Sequence, residues 1–115
     1  MKKTFLGLTF LLLLFTQCAQ QRSTDFRTLA QQPNTAIIDV RTVGEFEAGH
    51  IPQSINIPLP ILLDSAAYLQ RFSTLILICR SGNRSGQAKV LLQEKGFENV
   101  HNGGGWEKFQ QQYLE

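Results

Sequence analysis

The sequence predicts an α/β domain built on a mainly parallel sheet. Three observations carry this expectation. From residue 24 onward, short aliphatic and β-branched runs alternate with segments of helical spacing. Two of those runs, Thr35–Val40 and Leu75–Ile78, are apolar without polar alternation, the pattern of strands covered on both faces. Proline or glycine separates the segments, at Pro33, Gly49, Pro52, Pro58 and Gly96.

The elements follow in order. Ser23 or Thr24 can cap a helix from Asp25 to about Gln31, with Phe26, Leu29 and Ala30 inward. Pro33-Asn34 ends it, and Thr35–Val40 is the first strand. Val43–Ala48 is a short helix stopped at Gly49, and Ser54–Ile57 is a short strand fenced by Pro52 and Pro58. Leu59–Phe72 reads as helical, with Ile61, Leu62, Ala66 and Leu69 apolar. Leu75–Ile78 is the most apolar run and belongs at the sheet centre. Ser85–Lys95 is a helix with Ala88, Leu91 and Leu92 inward and Gly96 as its stop. Phe97–Val100 leads into a last short strand. Gly103-Gly104-Gly105 reads as a flexible turn, and Trp106–Leu114 as a closing helix.

The 115 residues leave room for one domain, since domains commonly run to about 100–150 residues. With 43% hydrophobic and 17% charged residues, nine Gly and four Pro, the chain is not collagen-like, coiled-coil or disordered. The net charge is +2, and Lys2 and Lys3 supply that excess. The remainder is balanced, so a nucleic-acid partner is not expected. Two cysteines, Cys18 and Cys79, exclude a disulfide scaffold and a multi-thiolate zinc site. His50 and His101 stand apart in sequence and Cys79 is the one thiol of the folded part, so a metal site is not expected. No cofactor is expected either.

Met1-Lys2-Lys3 followed by the apolar run Phe5–Phe15 has the form of a secretory signal. The run is shorter than the roughly 20 residues a spanning helix needs. The expected division is a signal peptide over 1–18, a polar tether over 19–23 and a folded domain over 24–115. Cys18, placed directly after the apolar run, resembles the bacterial lipoprotein pattern, in which that residue carries lipid. Phe15 and Gln17 depart from the residues that pattern prefers, so an ordinary cleavage near Cys18 stands as the alternative. Both readings place the domain outside the cytoplasm, periplasmic and either free or anchored to a membrane. A monomer is expected, though nothing in the sequence fixes the oligomeric state.

The chemistry sits after the central strand. Cys79 is followed by Arg80-Ser81-Gly82-Asn83-Arg84 and then a helix start near Ser85. Ligands of open α/β sheets bind outside the carboxyl ends of the strands. A helix start offers unpaired N–H groups and a positive dipole end, and Gly82 lets the loop turn further N–H groups inward. Arg80 and Arg84 are expected to add two positive charges. A thiol held there ionises readily and becomes a nucleophile. A buried structural cysteine needs none of these neighbours.

These residues resemble the rhodanese-like sulfurtransferases. The likeness rests on Asp39-Val40-Arg41, Glu45-Phe46, Gly49-His50-Ile51-Pro52, Ser54-Ile55-Asn56-Ile57-Pro58, Cys79–Ser85 and Gly103-Gly104-Gly105-Trp106. It covers the chain from about Thr24 to Tyr113. The resemblance implies about five mainly parallel strands flanked by helices. It implies that Cys79 takes a sulfane sulfur from an anionic donor such as thiosulfate and passes it to cyanide or another thiophilic acceptor. The loop Arg80–Ser85 would bind the donor and hold the persulfide.

Loop length separates this family from its phosphatase relatives, which place five residues between Cys and Arg. Here four residues, Arg80 to Asn83, separate Cys79 from Arg84, and Ser85 stands where a phosphatase has Arg. The shorter loop suits one sulfur atom better than a tetrahedral oxyanion. Asp39 and Arg41 are expected to pair and brace the loop region, with Glu45 doing similar work. His50 is expected in a turn rather than as a base, His101 is expected to be exposed, and Trp106 is expected to plug the core. The alternative function is a non-catalytic binding or persulfide-carrier module on the same fold.

Overall fold

A computed structural model describes residues 23–115. The expected signal peptide, the lipid-bearing role of Cys18 and all but the last residue of the tether lie outside the described residues. The elements are α1 (Phe26–Gln31), β1 (Thr35–Asp39), α2 (Val43–Ala48), β2 (Ile55–Asn56), α3 (Ala66–Leu69), β3 (Thr74–Cys79), α4 (Asn83–Glu94), β4 (Val100–Gly105) and α5 (Trp106–Phe109). A π-helical turn, Gln110–Leu114, continues α5.

The four strands form one parallel sheet in the order β2-β1-β3-β4. This is the expected α/β architecture, with four strands among the described residues rather than five. β1 and β3 occupy the middle, which explains why their sequences carry no polar alternation. Alternate residues of β3 serve the two faces. Leu75, Leu77 and Cys79 join Ala36, Ile38 and Val40 on the face covered by Leu69, Ala88 and Leu92. Ile76 and Ile78 join Ile37 on the opposite face, under Phe26, Leu29 and Phe109. Ile76, Leu77 and Ile78 are fully buried. Each such side chain contributes roughly 1.5–3 kcal/mol of transfer free energy.

Several expectations are corrected. The cap of α1 is Asp25, whose carboxylate accepts from the Thr28 backbone N–H, rather than Ser23 or Thr24. Leu59–Phe72 is not one helix. It divides into two 3₁₀ turns, Leu59–Ile61 and Leu63–Ser65, before the single turn of α3. Pro58 and Pro60 deny the segment two backbone donors at its start, and Ile61 is left exposed. In α4 the buried stripe is Ser85, Ala88 and Leu92, spaced three and four apart, while Leu91 is only half-buried.

The three glycines form strand rather than a turn. Leu77 faces Asn102 but Ile78 faces Gly104, so Gly103 is the extra residue of a bulge in β4. A side chain at Gly103 would meet Ile76, Ile78 and Phe109 at 2.9–3.0 Å. The absence of Cβ atoms is therefore what lets β4 pair with β3 against a filled core.

Candidate active site

Cys79 is the last residue of β3, and three residues, Arg80, Ser81 and Gly82, connect it to α4. The helix begins at Asn83, two residues before the sequence suggests. Gly82 makes the early start possible. It stands at φ +103°, a left-handed conformation that favours glycine, and its carbonyl accepts from Gly86 N–H at 3.0 Å. The turn that this allows aims the Gly82 N–H at Cys79 Sγ, 3.0 Å away.

Ser85 reaches the same sulfur from the helix. Its place on the buried stripe of α4 points the side chain at the sheet, and Oγ lies 3.3 Å from Sγ. Cys79 is a free thiol with 1% of its surface exposed. That burial pushes its pKa up. The Ser85 hydroxyl and the backbone N–H groups of Ser85, Ser81 and Gly82 push it down, and the net result is a thiol below its usual value.

The arginines sit differently from the sequence expectation. Arg84 turns away from the sulfur and pairs end-on with Glu45 of α2, at 2.7 and 2.8 Å. Its charge is neutralised by that carboxylate, whose pKa is held down at about 2, first by the Arg84 hydrogen bonds. Arg84 thus ties the first turn of α4 to α2 rather than adding a free positive charge. Among the described residues Arg80 makes no ion pair. Its side chain is exposed and helps wall a cavity of about 310 Å³ with Arg41, Glu45, Gly49, Trp106 and Glu107. Ser81 is exposed, and Asn83 turns its amide oxygen to the Gln87 side chain at 3.3 Å.

The neighbouring strand end carries a built ion pair. Asp39, fully buried, accepts from the Arg41 backbone N–H and from its guanidinium, the shortest contact being 2.7 Å. Arg41 also donates to the carbonyls of Glu45 and Gly49 and lies 4.7 Å over the Trp106 ring. Asn56 donates to the carbonyls of Asp39 and Arg41 and so closes β2 onto the same corner. The α2 helix is fixed by a reciprocal cap between Thr42 and Glu45, the same Glu45 that holds Arg84. Trp106 is half-buried, sets its ring edge close to Gly49, and lines the cavity. His50 stacks on Phe46 at 3.8 Å and donates from Nδ1 to the Phe46 carbonyl at 2.7 Å. His101 is half-buried rather than exposed, and its ring bonds Asn99 at 2.8 Å.

One residue escapes sequence reasoning. Asn102 of β4 accepts from Ser85 Oγ at 2.7 Å and from Gly104 N–H at 3.0 Å, and donates to the Gly82 carbonyl at 3.2 Å. It touches the loop, the helix and the bulge together. An Asn before glycines carries a turn signal in the sequence, and nothing there points toward Cys79.

Comparison with known proteins agrees with this geometry. The family model of the rhodanese-like domain matches residues 23–112. The thiosulfate sulfurtransferase PspE of Escherichia coli is 37% identical over 70 residues, which cover 59% of this chain and 67% of that protein. A solved E. coli rhodanese with anions superposes with a TM-score of 0.60 at 35% identity, over 64% of this chain and 88% of that one. A human single-domain sulfurtransferase superposes with a TM-score of 0.62 at 26% identity, over 76% and 90% of the two chains.

Proposed function

The chain belongs to the rhodanese-like family, and on that premise we propose that it transfers a sulfane sulfur through a persulfide on Cys79. The observation that carries this reading is the setting of Cys79 Sγ, at a strand end, with the Gly82 N–H at 3.0 Å and the Ser85 hydroxyl at 3.3 Å. These groups favour the thiolate, and the same donors suit the terminal sulfur of a persulfide, which is also an anion.

The proposed steps balance with the Cys79 thiolate as nucleophile. It attacks the outer sulfur of thiosulfate. The new S–S bond forms as the bond to the sulfonate sulfur breaks, and sulfite leaves with the electron pair. A thiophilic acceptor such as cyanide then attacks the outer sulfur. Thiocyanate departs and the thiolate is restored. Arg80, exposed at the mouth, is the cation that would meet the anionic donor. The Arg84–Glu45 and Arg41–Asp39 pairs hold the walls.

Intact mass after thiosulfate treatment tests the reading. The wild type should gain the mass of one sulfur atom, lose it to cyanide, and show neither change as Cys79→Ser. A wild type that gains no sulfur removes the enzymatic reading and leaves a non-catalytic module. The N-terminal pattern of Lys2, Lys3 and Phe5–Phe15 supports export in the same proposal. The mass of the protein recovered from its native host then reports cleavage, or lipid on Cys18. An uncleaved chain confined to the cytoplasm would refute export.

A further inference from the structure

The Ser85 hydroxyl has two neighbours and one hydrogen. Cys79 Sγ lies 3.3 Å from Oγ on one side, and Asn102 Oδ1 lies 2.7 Å away on the other. The Asn102 amide is fixed in orientation by its two other bonds. Its Oδ1 receives the Gly104 N–H at 3.0 Å, and its Nδ2 donates to the Gly82 carbonyl at 3.2 Å. Flipping the amide would set its NH₂ against an N–H and its oxygen against a carbonyl. Oδ1 therefore faces Ser85 as an acceptor, and Ser85 must donate to it.

With its hydrogen committed to Asn102, Ser85 can only accept from Cys79. The resting chain of bonds runs from the Cys79 S–H to Ser85 Oγ, and from the Ser85 O–H to Asn102 Oδ1. A sulfur anion has no hydrogen to give and needs one from Ser85. We propose that Asn102 is a positioning residue that competes with Cys79 sulfur for the Ser85 hydrogen, holding Ser85 as an acceptor for the resting thiol and releasing it when sulfur becomes an anion. The proposal rests on Cys79 reacting as its thiolate.

The switch needs little motion. On ionisation the S–H bond breaks and its proton leaves to bulk water. The Ser85 hydroxyl rotates about its C–O bond until its hydrogen points at Sγ. Asn102 Oδ1 keeps the Gly104 N–H, and because Asn102 is exposed, solvent can occupy the position Ser85 gives up. The buried sulfur can thus alternate between a neutral and an anionic form without backbone movement. Asn102 biases it toward the neutral one.

The test is the pH profile of Cys79 alkylation by iodoacetamide, a reaction that needs no sulfur donor. It is run on four proteins: wild type, Asn102→Ala, Ser85→Ala and the double variant. With the competitor removed, Asn102→Ala should be alkylated about 2- to 10-fold faster below the midpoint, the span of one neutral hydrogen bond, and its midpoint should fall. In the Ser85→Ala background the same substitution should leave the midpoint where it is. A residue that merely braced Gly82 would behave oppositely. Its removal would loosen the Gly82 N–H from sulfur, and the midpoint would rise in both backgrounds. Either a rise, or an equal shift with and without Ser85, overturns the proposal.

Asn102→Asp gives an independent reading if the alanine variant melts early. Its carboxylate holds the hydroxyl more firmly, so the midpoint should rise more with Ser85 present than in the Ser85→Ala background. Equal rises would mean bare charge repulsion and would likewise overturn the proposal. Midpoints that move as described in a protein that takes no sulfur from thiosulfate would refute the sulfur-transfer reading alone.

Discussion

The two central strands end side by side in anionic or ionisable groups, and they hold them in opposite ways. β1 ends at Asp39, a buried carboxylate met by the full charge of Arg41. β3 ends at Cys79, a buried thiol met by the Ser85 hydroxyl and by backbone N–H groups, the Gly82 N–H being 3.0 Å away, and among the described residues no arginine hydrogen-bonds it. Arg84, in the first turn of α4, is occupied by Glu45. A fully paired charge is fixed and serves as structure. An anion held by dipoles is not neutralised and can still form a bond. The difference separates a brace from the proposed nucleophile at the carboxyl ends of two neighbouring strands.

Substitutions on both sides of this contrast should have unequal effects. The largest is expected for Cys79→Ser, which should abolish sulfur loading in the intact-mass assay. Its unfolding free energy in urea should shift by less than about 1 kcal/mol, since serine fits the space and can take the Gly82 N–H. Next comes Asp39→Ala, which strands the Arg41 charge. It should cost about 3–5 kcal/mol, and a thermal melt should fall by more than about 10 °C. If Asp39→Ala melted like the wild type, the ion pair would not be a brace.

Ser85→Ala is third. Without the hydroxyl the Cys79 pKa should rise, and alkylation at neutral pH should slow by roughly tenfold. Arg84→Ala should move that midpoint less than Ser85→Ala does. A larger shift from Arg84 would mean that full charge, rather than dipoles, holds the sulfur.

The smallest effect is expected for Glu45→Gln, about 1 kcal/mol at neutral pH for a pair one-third exposed at each end. The sign follows from the lowered carboxylate. Glu45 ionises at about 2 in the folded protein and near the usual 4.5 when unfolded. Its contribution is complete above that upper value and is lost as pH falls toward the lower one. Urea titrations at several pH values should show the wild type and Glu45→Gln converging in acid.

Much of this fold is legible in the sequence because its signals are local. The unbroken apolar runs of β1 and β3 announce a covered parallel sheet, and Gly49 marks the end of α2 where the structure has it. The segment after Pro58 misleads because its apolar spacing is helical while its two prolines break the hydrogen-bond ladder. The glycines of β4 mislead for a deeper reason. Glycine signals turning freedom, but here it also answers a shortage of space imposed by Ile76, Ile78 and Phe109, which lie elsewhere in the chain. At the site, the strand-loop-helix setting of Cys79 can be read from residue types alone. The partnership of Arg84 with Glu45, 39 residues away, cannot, because charge in a sequence carries no record of which opposite charge will meet it.

Gly105 carries a consequence for how this scaffold could change its chemistry. A methyl group on it would stand 2.9 Å from the Arg80 carbonyl oxygen, so β4 and the connection after Cys79 lie backbone against backbone. An inserted residue, the step toward a wider cradle for a larger anion, would find no slack on that side. Growth of the connection would have to proceed away from β4, so the side packed on Gly105 constrains what this scaffold can become.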